Sequence, residues 1–562
     1  MIDHNYDLIV IGAGAAGLAA ASAGATLGTR VLLVESTSRV GGTTAISGGM
    51  VWIPANHKMR PAGIDDSAEA SRRYVEQTVP DAAHDARMRA FLDLGDTAIR
   101  YLEAHTSLKL QPVKRYPDYY PDLPGATAGG RVLEPVTFDA RELGRDFALL
   151  RDPLPEFMLF GGMMISREDI PKLRRMNRSP AAAWAALKLV CRYAMQRVFA
   201  HRGTTLVLGN ALAARLFKSA RDAGVEISLG TRVESLIVDE GRVTGIRTGS
   251  GEVRARAVVL ATGGISHDPA LRSKFVPKAA GERSATANAG ASESGVRIAR
   301  NAGAALSRPS SDVDDALAFW VPVSSWKRAD GSIGYFPHTV TDRAKPGLIA
   351  VNRHGKRFVN EAVSYHEFVR AQLRQADDAI PAWLICDKRF LWKYGLGRVR
   401  PFALCTQRDV ASGYLKRAKT LDALADSIGA PREALRATVT RFNVGARDGR
   451  DREFNRGGDI YQRHLGDGDH GPNPCVAPIE QAPYYAIAVY PADLGMAAGI
   501  VTDEHARVLC DDGTVIDGLY ACGNDMHSVM NGAYPGPGVT LGPALVFGVL
   551  AAHHALGHKL DV

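Results

Sequence analysis

The stretch that most constrains the fold is residues 6–35. An apolar run (YDLIVI) leads into the glycine-rich turn GAGAAG at residues 12–17, then into small apolar residues and a second apolar run at residues 30–34. The G-x-G-x-x-G spacing is informative here because a predicted strand precedes it and a predicted helix follows it. We predict a β–α–β unit that binds a dinucleotide. The alternative is a glycine-rich turn without a ligand.

The glycines and the acid of this unit have separate predicted roles. Gly12 allows the tight turn, Gly14 lets a pyrophosphate approach the backbone, and Gly17 lets the helix pack closely on the strand. The pyrophosphate would lie at the positive N-terminus of the helix. Glu35 ends the second strand and would bind ribose hydroxyls, and its carboxylate disfavours a 2′-phosphate.

Length and composition limit the class of protein. The chain has 562 residues and a net charge of +8, so two domains are expected, and nucleic acid, an anionic membrane or an acidic ligand is compatible with the charge. The six cysteines lack metal or disulfide spacing, which indicates a reducing compartment. A first strand at residue 6 leaves no room for a signal peptide. No apolar run reaches the roughly 18 residues of a spanning helix, so we expect a cytoplasmic protein.

Further segments indicate a flavoprotein. The loop GGTTAISGG at residues 41–49 suits a backbone pressed against a flat ring or a phosphate, although a plain loop is an alternative. A predicted helix at 209–224 is followed by a strand, two paired strands around Gly241 and an apolar strand ending in ATGG at 261–264. This order recurs in flavoproteins with two dinucleotide-binding folds.

The C-terminal part returns to the same site. A predicted strand at 517–521 ends in a Gly-Asn turn, and YPGPGVTLGP at 534–543 precedes a small-residue helix at 544–556. Such a turn offers backbone N–H groups at a helix N-terminus, where the N–H of Gly538 is free to donate. A purely structural turn is the alternative.

Other segments give coarser predictions. Residues 50–150 are rich in Pro and Tyr and are predicted to be irregular. Residues 351–361 read as strand–turn–strand, and the stretch from 380 to the 440s reads as helical. Residues 281–490 carry most of the tryptophans and are predicted to form a second, substrate-capping domain inserted into the first.

Residues 170–202 form a basic amphipathic segment. Ser179 and Pro180 predict a helix start, with Trp184, Leu187, Cys191, Met195 and Val198 on one face. Eight cations and no acid occur from residue 172 to 202: Lys172, Arg174, Arg175, Arg178, Lys188, Arg192, Arg197 and Arg202. Two interpretations stay open, an interfacial membrane anchor and a surface helix docked on the protein body.

Taken together, these segments resemble the 3-ketosteroid Δ1-dehydrogenases over nearly the whole chain. The specific parts are DYYP at 118–121, RFVNE at 357–361 followed by Tyr365, and YPGPG at 534–538. The nucleotide motifs alone indicate only the wider superfamily that includes fumarate reductases. The basic region around 155–205 looks longer than the family core, and residues 530–533 differ from the family form.

The resemblance implies a fold, a domain order and a cofactor. The expected fold is α/β, a two-dinucleotide-binding (glutathione-reductase-like) FAD domain at 1–280 and 491–562 with an inserted α+β substrate domain at 281–490. FAD would be bound non-covalently. The candidate FAD-binding residues are Gly12, Gly14, Ala15, Ala16, Gly17, Glu35, Gly42, Thr43, Thr44, Ser47, Gly48, Gly49, Val233, Ala261, Thr262, Gly263, Gly523, Asn524, Gly538 and Leu541.

The implied activity is that of a 3-oxosteroid 1-dehydrogenase in steroid degradation. Tyr365 would take the C2 proton while the C1 hydride passes to flavin N5. A free tyrosine has a pKa of about 10, so a hydrogen bond from Tyr119 would help to stabilise its anion. The Tyr534 hydroxyl and the Gly538 N–H would hold the C3 enolate oxygen, because two such donors form an oxyanion hole.

Partners and alternatives follow from the same resemblance. The expected partners are a steroid and an external, quinone-like or dye-like electron acceptor, without nucleic acid, and the basic helix at 179–202 leaves contact with the inner face of the membrane open. The nearest alternative activity is 3-ketosteroid Δ4-dehydrogenation. A fumarate-reductase-like enzyme is less well supported, because it would need arginines that clamp carboxylates. A non-enzymatic flavin-binding or scaffold protein would leave the three tyrosines unexplained.

Overall fold

The computed structural model describes residues 5–167, 169–174, 176, 179–287, 295–328, 330–340 and 342–561. Two large sheets organise this part of the chain, and strands and helices are numbered in chain order. The first sheet consists of β1 (Tyr6–Ile11), β2 (Val31–Glu35), β8 (Glu226–Leu229), β9 (Val233–Asp239), β10 (Arg242–Thr248), β11 (Gly251–Leu260), β18 (Arg507–Leu509) and β19 (Val515–Ala521).

The centre of the first sheet is parallel. Its order is β18-β19-β11-β1-β2-β8, and β9 and β10 extend from β11 as antiparallel strands. Val10 pairs with Leu33 on one side and Val259 on the other. These strands are continuous apolar runs, as is typical of parallel strands buried on both faces. The predicted N-terminal β–α–β unit and the strands around Gly241 are therefore confirmed.

Helices of small residues cover this sheet. They are α1 (Ala15–Thr26), α6 (Leu208–Asp222) and α16 (Leu541–Ala555). A Cβ on Gly548 of α16 would lie 2.6 Å from the carbonyl oxygen of Ala16 in α1. Glycine thus allows the two helix backbones to approach closely, and this contact brings the C-terminal segment to the N-terminal turn.

The second sheet is antiparallel and lies in the predicted inserted domain. Its order is β13-β12-β17-β15-β14, with β16 paired to β17. Its strands are β12 (Ala318–Lys327), β13 (Ile333–Pro337), β14 (Leu348–Val351), β15 (Ala382–Asp387), β16 (Lys416–Ala418) and β17 (Tyr484–Met496). Strand β17 runs through the predicted boundary at residue 490.

Most of the remaining helices lie next to the strands of the second sheet in the sequence. They are α7 (Pro269–Arg272), α8 (Gly295–Asn301), α9 (Tyr365–Arg374), α10 (Ala376–Ala379), α11 (Lys388–Tyr394), α12 (Gln407–Ala411), α13 (Leu421–Ile428), α14 (Arg432–Ala446) and α15 (Ile460–Leu465). The prediction that 380 to the 440s is helical is wrong for β15 and β16. A short apolar run such as AWLICD at 382–387 does not by itself distinguish a strand from a buried helix.

Two other predictions need correction. Residues 50–150 contain regular structure: α2 (Ala68–Thr78) and α3 (Ala86–His105), with β3 (Val51–Trp52), β4 (Leu110–Pro112), β5 (Val132–Pro135) and β6 (Phe138–Asp139), the last paired with β7 (Thr205–Leu206). Ser67 and Asp85 cap the two helices by accepting hydrogen bonds from Ala70 and Arg87 N–H groups. At 351–361 the second strand is reduced to one bridge between Val351 and Arg357, and the side chains of Arg357 and Glu361 form a buried ion pair.

The basic segment forms α4 (Asp169–Arg174) and α5 (Pro180–Phe199), and Ser179 caps α5 as predicted. Ala186 and Tyr193 are buried, whereas Trp184, Leu187, Met195, Val198 and Phe199 are exposed. The helix therefore docks through the face that carries Ala186 and Tyr193 and leaves its large apolar face in solvent. Among the described helices, none is long and apolar enough to cross a membrane.

The cations of this segment divide into two groups. Lys188, Arg192 and Arg197 are exposed on α5. Arg202 is buried and forms an ion pair with Asp152 at 2.7 Å, so it does not contribute to a cationic surface. Arg175 and Arg178 lie outside the described residues, and the side chains of Lys172 and Arg174 are not described.

Candidate active site

The glycine-rich turn after β1 forms an anion cradle at the start of α1. Gly12 has φ +109°, and a Cβ there would lie 2.3 Å from the Ala261 carbonyl oxygen. A Cβ on Gly17 would lie 1.9 Å from the Gly12 carbonyl oxygen, whereas one on Gly14 would meet nothing closer than 4.0 Å. Gly12 and Gly17 therefore serve the packing of the turn, and Gly14 leaves its surface open toward the cavity.

The N–H groups at this turn fit an anionic ligand. Within the described residues, the N–H groups of Gly14 and Ala16 donate to no protein acceptor. The N–H of Ala15 donates to Thr44 Oγ1 at 3.0 Å, which joins the turn to the loop at 41–49. Free N–H groups at a helix N-terminus are the feature that binds a pyrophosphate. The residues present therefore fit a dinucleotide cofactor.

Glu35 is held in place at the end of β2. One carboxylate oxygen accepts from the Ala13 N–H at 2.9 Å, and the other accepts from both the N–H and hydroxyl of Thr37 at 2.9 Å. The carboxylate also lines the cavity. Its orientation is thus fixed before any ribose hydroxyl reaches it.

The loop at 41–49 forms one wall of the same cavity. Thr43 Oγ1 accepts from the Ala287 N–H at 3.1 Å, and Ser47 Oγ accepts from the Gly49 N–H at 3.0 Å. Gly49 has φ +66°, and a Cβ there would lie 2.4 Å from Gly209 N, so the loop packs directly on α6.

An acid that the sequence reading missed holds the return segments together. Asp525, fully buried, accepts from the N–H groups of Thr262 at 2.6 Å and Gly264 at 2.7 Å and from the Thr262 hydroxyl at 2.9 Å. Burial raises the pKa of its carboxyl, while these hydrogen bonds lower it. Asp525 follows the Gly-Asn turn directly, and an acid at that position was the available signal.

Three tyrosines meet at the other end of the cavity. The Tyr119 hydroxyl donates to the Tyr365 oxygen at 2.9 Å. The Tyr534 ring lies 5.6 Å from the Tyr119 ring and 5.3 Å from the Tyr365 ring. All three side chains are buried and line the cavity. The structure therefore brings together side chains from three distant parts of the chain.

Hydrogen bonds from the backbone and from side chains hold the tyrosine cluster in position. The Pro535 carbonyl oxygen accepts from the Tyr119 N–H at 2.9 Å and from the Tyr74 hydroxyl at 2.6 Å. Asp118 accepts from Trp52 Nε1 at 3.0 Å and forms a buried ion pair with Arg131 at 2.9 Å. The loop that carries Tyr119 is thus tied to the turn that carries Tyr534.

Burial dominates the electrostatics of the tyrosines. It raises the pKa of Tyr119 and of Tyr365 well above 10, because a buried phenolate loses its hydration. For Tyr365, the neighbouring Tyr534 adds to this rise and the hydrogen bond from Tyr119 opposes it. Burial raises the pKa of Tyr534 to about 12. Tyr534 is therefore a neutral hydrogen-bond donor at physiological pH.

Gly538 supplies a backbone donor next to the cluster. It has φ +99°, and a Cβ there would lie 2.6 Å from the Met50 carbonyl oxygen. Its own carbonyl accepts from the N–H groups of Trp52 and Gly542, but within the described residues its N–H has no protein acceptor. Only glycine fits this backbone position, and its N–H is available to a ligand.

One cavity of about 1300 Å³ joins the cradle to the tyrosines. A single small-molecule site usually encloses about 300–1,000 Å³, so this volume is large enough for two ligands. Every predicted cofactor and catalytic residue lines it except Gly17. Its apolar extension is lined by Leu154, Phe157, Leu159, Phe160, Met163, Ile165, Ile170, Leu173, Met176, Ala186 and Val190.

Comparison with known proteins places these features in a family context. The model of the FAD binding domain family matches residues 7–541. The chain is 37% identical to a 3-oxosteroid 1-dehydrogenase of Mycobacterium tuberculosis, with 99% of each chain covered. It is 38% identical to a 4-oxocyclohex-2-ene-1-carboxylate 5-dehydrogenase of Sinomonas cyclohexanicum, with 97% of this chain and 92% of the relative covered.

A solved structure matches with similar completeness. It is the 3-ketosteroid Δ1-dehydrogenase of Sterolibacterium denitrificans in complex with 1,4-androstadiene-3,17-dione. The TM-score is 0.90 at 36% identity, covering 99% of this chain and 100% of the other.

Proposed function

This chain belongs to the FAD binding domain family and, within it, to the 3-ketosteroid Δ1-dehydrogenases, and we propose that it introduces a double bond between C1 and C2 of a 3-ketosteroid. The observation that carries the proposal is the tyrosine cluster, in which Tyr119 donates to Tyr365 at 2.9 Å beside Tyr534. This cluster shares a cavity with the cofactor cradle.

Tyr365 is the proposed base for the C2 proton. The proton becomes acidic when the C3 oxygen takes up negative charge, so the base and the oxygen-binding donors must act together. Tyr365 faces the cavity, and the hydrogen bond from Tyr119 favours its anion over its neutral form.

Tyr534 and Gly538 are the proposed donors to the C3 oxygen. Tyr534 keeps its proton because burial raises its pKa to about 12, and the Gly538 N–H has no acceptor among the described residues. Removing one donor of such a pair typically lowers kcat about 100- to 1,000-fold. FAD, when bound, supplies the two-electron acceptor for the hydride that leaves C1.

The proposed cofactor arrangement is non-covalent and follows the glutathione-reductase-like order. The loop at 41–49 contains no histidine, cysteine or tyrosine to form a bond to a flavin. Denaturation of the yellow protein followed by filtration should release the colour into the filtrate. Colour retained with the polypeptide would contradict the non-covalent arrangement.

A second candidate substrate class is an oxocyclohexanecarboxylate. Relatives named for dehydrogenation of such acids are 38% and 36% identical to this chain. The cavity is also lined by Arg167 and Lys345, but Lys345 Nζ donates to the carbonyls of Leu465 and Gly466, and Arg167 lies 3.5 Å from Glu134. The long apolar extension favours the steroid, because a single ring would leave most of that surface without contact.

Product analysis distinguishes these candidates. The holoenzyme is incubated with a 3-keto-4-ene steroid or with 4-oxocyclohexanecarboxylate and an artificial electron acceptor, and the new double bond is located by NMR. We expect a 1,4-dien-3-one from the steroid and a far lower kcat/KM for the acid. Turnover of only a saturated 3-ketone to a 4-ene would assign Δ4-dehydrogenation, and higher kcat/KM for the acid would assign the second candidate.

Substitution Tyr365→Phe tests the assigned base. We expect loss of turnover by at least about 100-fold, the lower range for positioned acid–base groups, with the flavin spectrum unchanged. Tyr101→Phe is a matched control, because Tyr101 is equally buried, bonds Thr26 at 2.9 Å and does not line the cavity. Near-normal turnover by Tyr365→Phe would overturn the assignment.

We also propose that α5 contacts an anionic membrane surface, at the inner face of the cell membrane, where a quinone-like acceptor is available. Its exposed apolar face is flanked by the exposed cations Lys188, Arg192 and Arg197. Phe160 and Val190 are exposed and also line the cavity, so the apolar extension of the cavity reaches the protein surface at α5. Steroids partition into lipid, which makes such a position useful for substrate capture.

Vesicle sedimentation tests the membrane contact. We expect binding to vesicles with anionic lipid at low salt and weaker binding to neutral vesicles. Replacing Leu187, Met195 and Val198 by Ser should abolish binding without loss of activity on dissolved steroid. Val238→Ser is the control, since Val238 is also about half exposed but lies on β9. Equal sedimentation of the triple variant and the control would exclude this surface.

A further inference from the structure

The tyrosine cluster extends beyond the three residues of the proposed mechanism. The ring of Tyr461, on α15, packs against the ring of Tyr119 at 4.7 Å. Tyr461 is 1% exposed, and its hydroxyl has no hydrogen-bond partner in the described part of the chain. A buried hydroxyl without a partner is unusual and needs a reason.

A buried cation, Arg343, interacts electrostatically with Tyr461 and is hydrogen-bonded to the segment that precedes Tyr365. Arg343 is 2% exposed, and its guanidinium donates to four backbone carbonyls: His338 at 2.9 Å, Glu361 at 2.9 Å, Val363 at 3.2 Å and Thr339 at 3.3 Å. Within the described ranges it forms no ion pair with a carboxylate. The guanidinium of Arg343 is therefore held in place by neutral backbone carbonyls.

The groups around Arg343 leave its charge only partly offset. The neighbouring Asp342 carboxylate accepts from His338 Nδ1 at 2.6 Å and from the Arg343 N–H at 2.9 Å. Arg456, on the other side, donates to the Arg343 carbonyl at 2.7 Å and adds positive charge. The charge of Arg343 acts electrostatically on Tyr461 and on Tyr119.

We propose that Tyr461 and Arg343 are positioning residues that stabilise negative charge on the Tyr119–Tyr365 pair. The proposal rests on the proposed role of Tyr365 as base. A phenolate at Tyr365 accepts the hydrogen bond of Tyr119, which leaves the Tyr119 oxygen richer in electrons. The Tyr461 hydroxyl, whose ring contacts that of Tyr119, is then available as a donor to the Tyr119 oxygen, and the charge of Arg343 acts on both rings. A chain of such hydrogen bonds distributes the charge.

Other titratable groups also act on Tyr461. Tyr116 and Asp459 act electrostatically on Tyr461, and Tyr116 also lies beside Arg167, with its own hydroxyl unpartnered among the described residues. Burial raises the pKa of Tyr461 well above 10, and Arg343 opposes this rise. Asp459 also acts on Tyr461, but the charge of its carboxylate is opposite to that of Arg343.

The variant Tyr461→Phe keeps the ring packing and removes the hydroxyl. We expect the rise of kcat with pH to move to higher pH by about one pH unit, so that kcat at neutral pH falls about tenfold, with KM nearly unchanged. Tyr101→Phe is the control and should leave the profile in place. A lower kcat with an unmoved profile would indicate a structural role and overturn the proposal.

A substrate-free readout separates this proposal from the proposed function. Ultraviolet titration of the holoprotein, minus that of its Tyr365→Phe counterpart, isolates ionisation of Tyr365, and the same difference is taken in the Tyr461→Phe background. We expect ionisation at higher pH in that background and again with Arg343→Gln. Identical titrations would overturn the proposal even if steroid turnover is confirmed, and a shift would support it even if steroid turnover fails.

Discussion

At the scale of single residues, the site depends on side chains that the fold brings together from far apart. Tyr119 and Tyr365 are 246 positions apart and meet through one hydrogen bond. A second hydrogen bond joins residues that lie beside these two tyrosines in the sequence, since the Tyr120 hydroxyl donates to Glu367 at 3.0 Å. Two adjacent hydrogen bonds fix the relative position of the two chain segments that carry Tyr119 and Tyr365.

The direction of the tyrosine pKa values gives a pH dependence. Burial raises the pKa of Tyr365, and a base acts only in its deprotonated form, so kcat should rise with pH and level off only above the pKa of the pair. The measurement is kcat against pH from about 6 to 10, with a C2-deuterated steroid to establish that proton removal limits the rate. A flat profile together with a full isotope effect would contradict a tyrosine base.

At the scale of elements, the turn between β1 and α1 separates two functions of glycine. A Cβ on Gly17 meets the Gly12 carbonyl oxygen at 1.9 Å, but one on Gly14 meets nothing within the protein closer than 4.0 Å. Gly17 serves close backbone packing at the start of the helix, and Gly14 is the proposed point of approach of the ligand.

Paired alanine substitutions should therefore act differently. Gly17→Ala should destabilise the apoprotein by about 1–3 kcal/mol through overpacking. Gly14→Ala should leave apoprotein stability nearly unchanged and weaken FAD binding on the order of tenfold, about 1.4 kcal/mol. Thermal unfolding of the apoproteins and a fluorescence titration with FAD measure the two effects. Equal loss of apoprotein stability in both variants would refute the division of roles.

The turn after β14 is held by a buried charge network. Arg357 forms bidentate hydrogen bonds with Glu361 at 2.7 and 2.8 Å and an ion pair with Asp451 at 2.7 Å, and Arg456 reaches Glu361 at 3.2 Å. The side chains of Arg357, Glu361 and Arg456 are fully buried. This network leads directly into α9, which begins with Tyr365.

Removing one buried charge should leave the others uncompensated. Glu361→Gln is expected to lower the free energy of unfolding by about 3 kcal/mol or more. Glu453→Gln is the control: Glu453 lies 3.4 Å from the same Arg357 but is about one-third exposed, so its loss should cost less than about 1 kcal/mol. Denaturant unfolding measures both. Similar losses would mean that burial does not govern this network.

The sequence predicted those parts of the site that depend on local backbone. The turns at 12–17 and 534–538 are each one short, recognisable run of residues, and Glu35 follows from the β–α–β pattern, whereas the catalytic role of Tyr534 follows only from the family resemblance. Tyr461 and Arg343 could not be found in this way, because no local pattern relates either residue to Tyr119. The same limit explains β15, whose short apolar run is defined as a strand only by its neighbours in the second sheet.

At the scale of the whole molecule, α16 is the element that closes the site. It packs against α1 through Gly548 and follows the turn that carries Tyr534 and Gly538. The C-terminal segment thereby places the proposed oxyanion donors next to the N-terminal cradle. A truncation before residue 534 would remove a wall of the cavity rather than a peripheral tail.

The undivided cavity has a consequence for the affinities of the two ligands. Two molecules that occupy one cavity of about 1300 Å³ share a contact surface, so each contributes to the affinity of the other, and the thermodynamic coupling is reciprocal. Steroid affinity should therefore fall when FAD is removed, and a saturating steroid product should raise FAD affinity by the same factor. The amount of steroid bound to the protein would then depend on the fraction of protein that carries FAD. In a cell short of flavin, the protein would lose steroid binding together with activity.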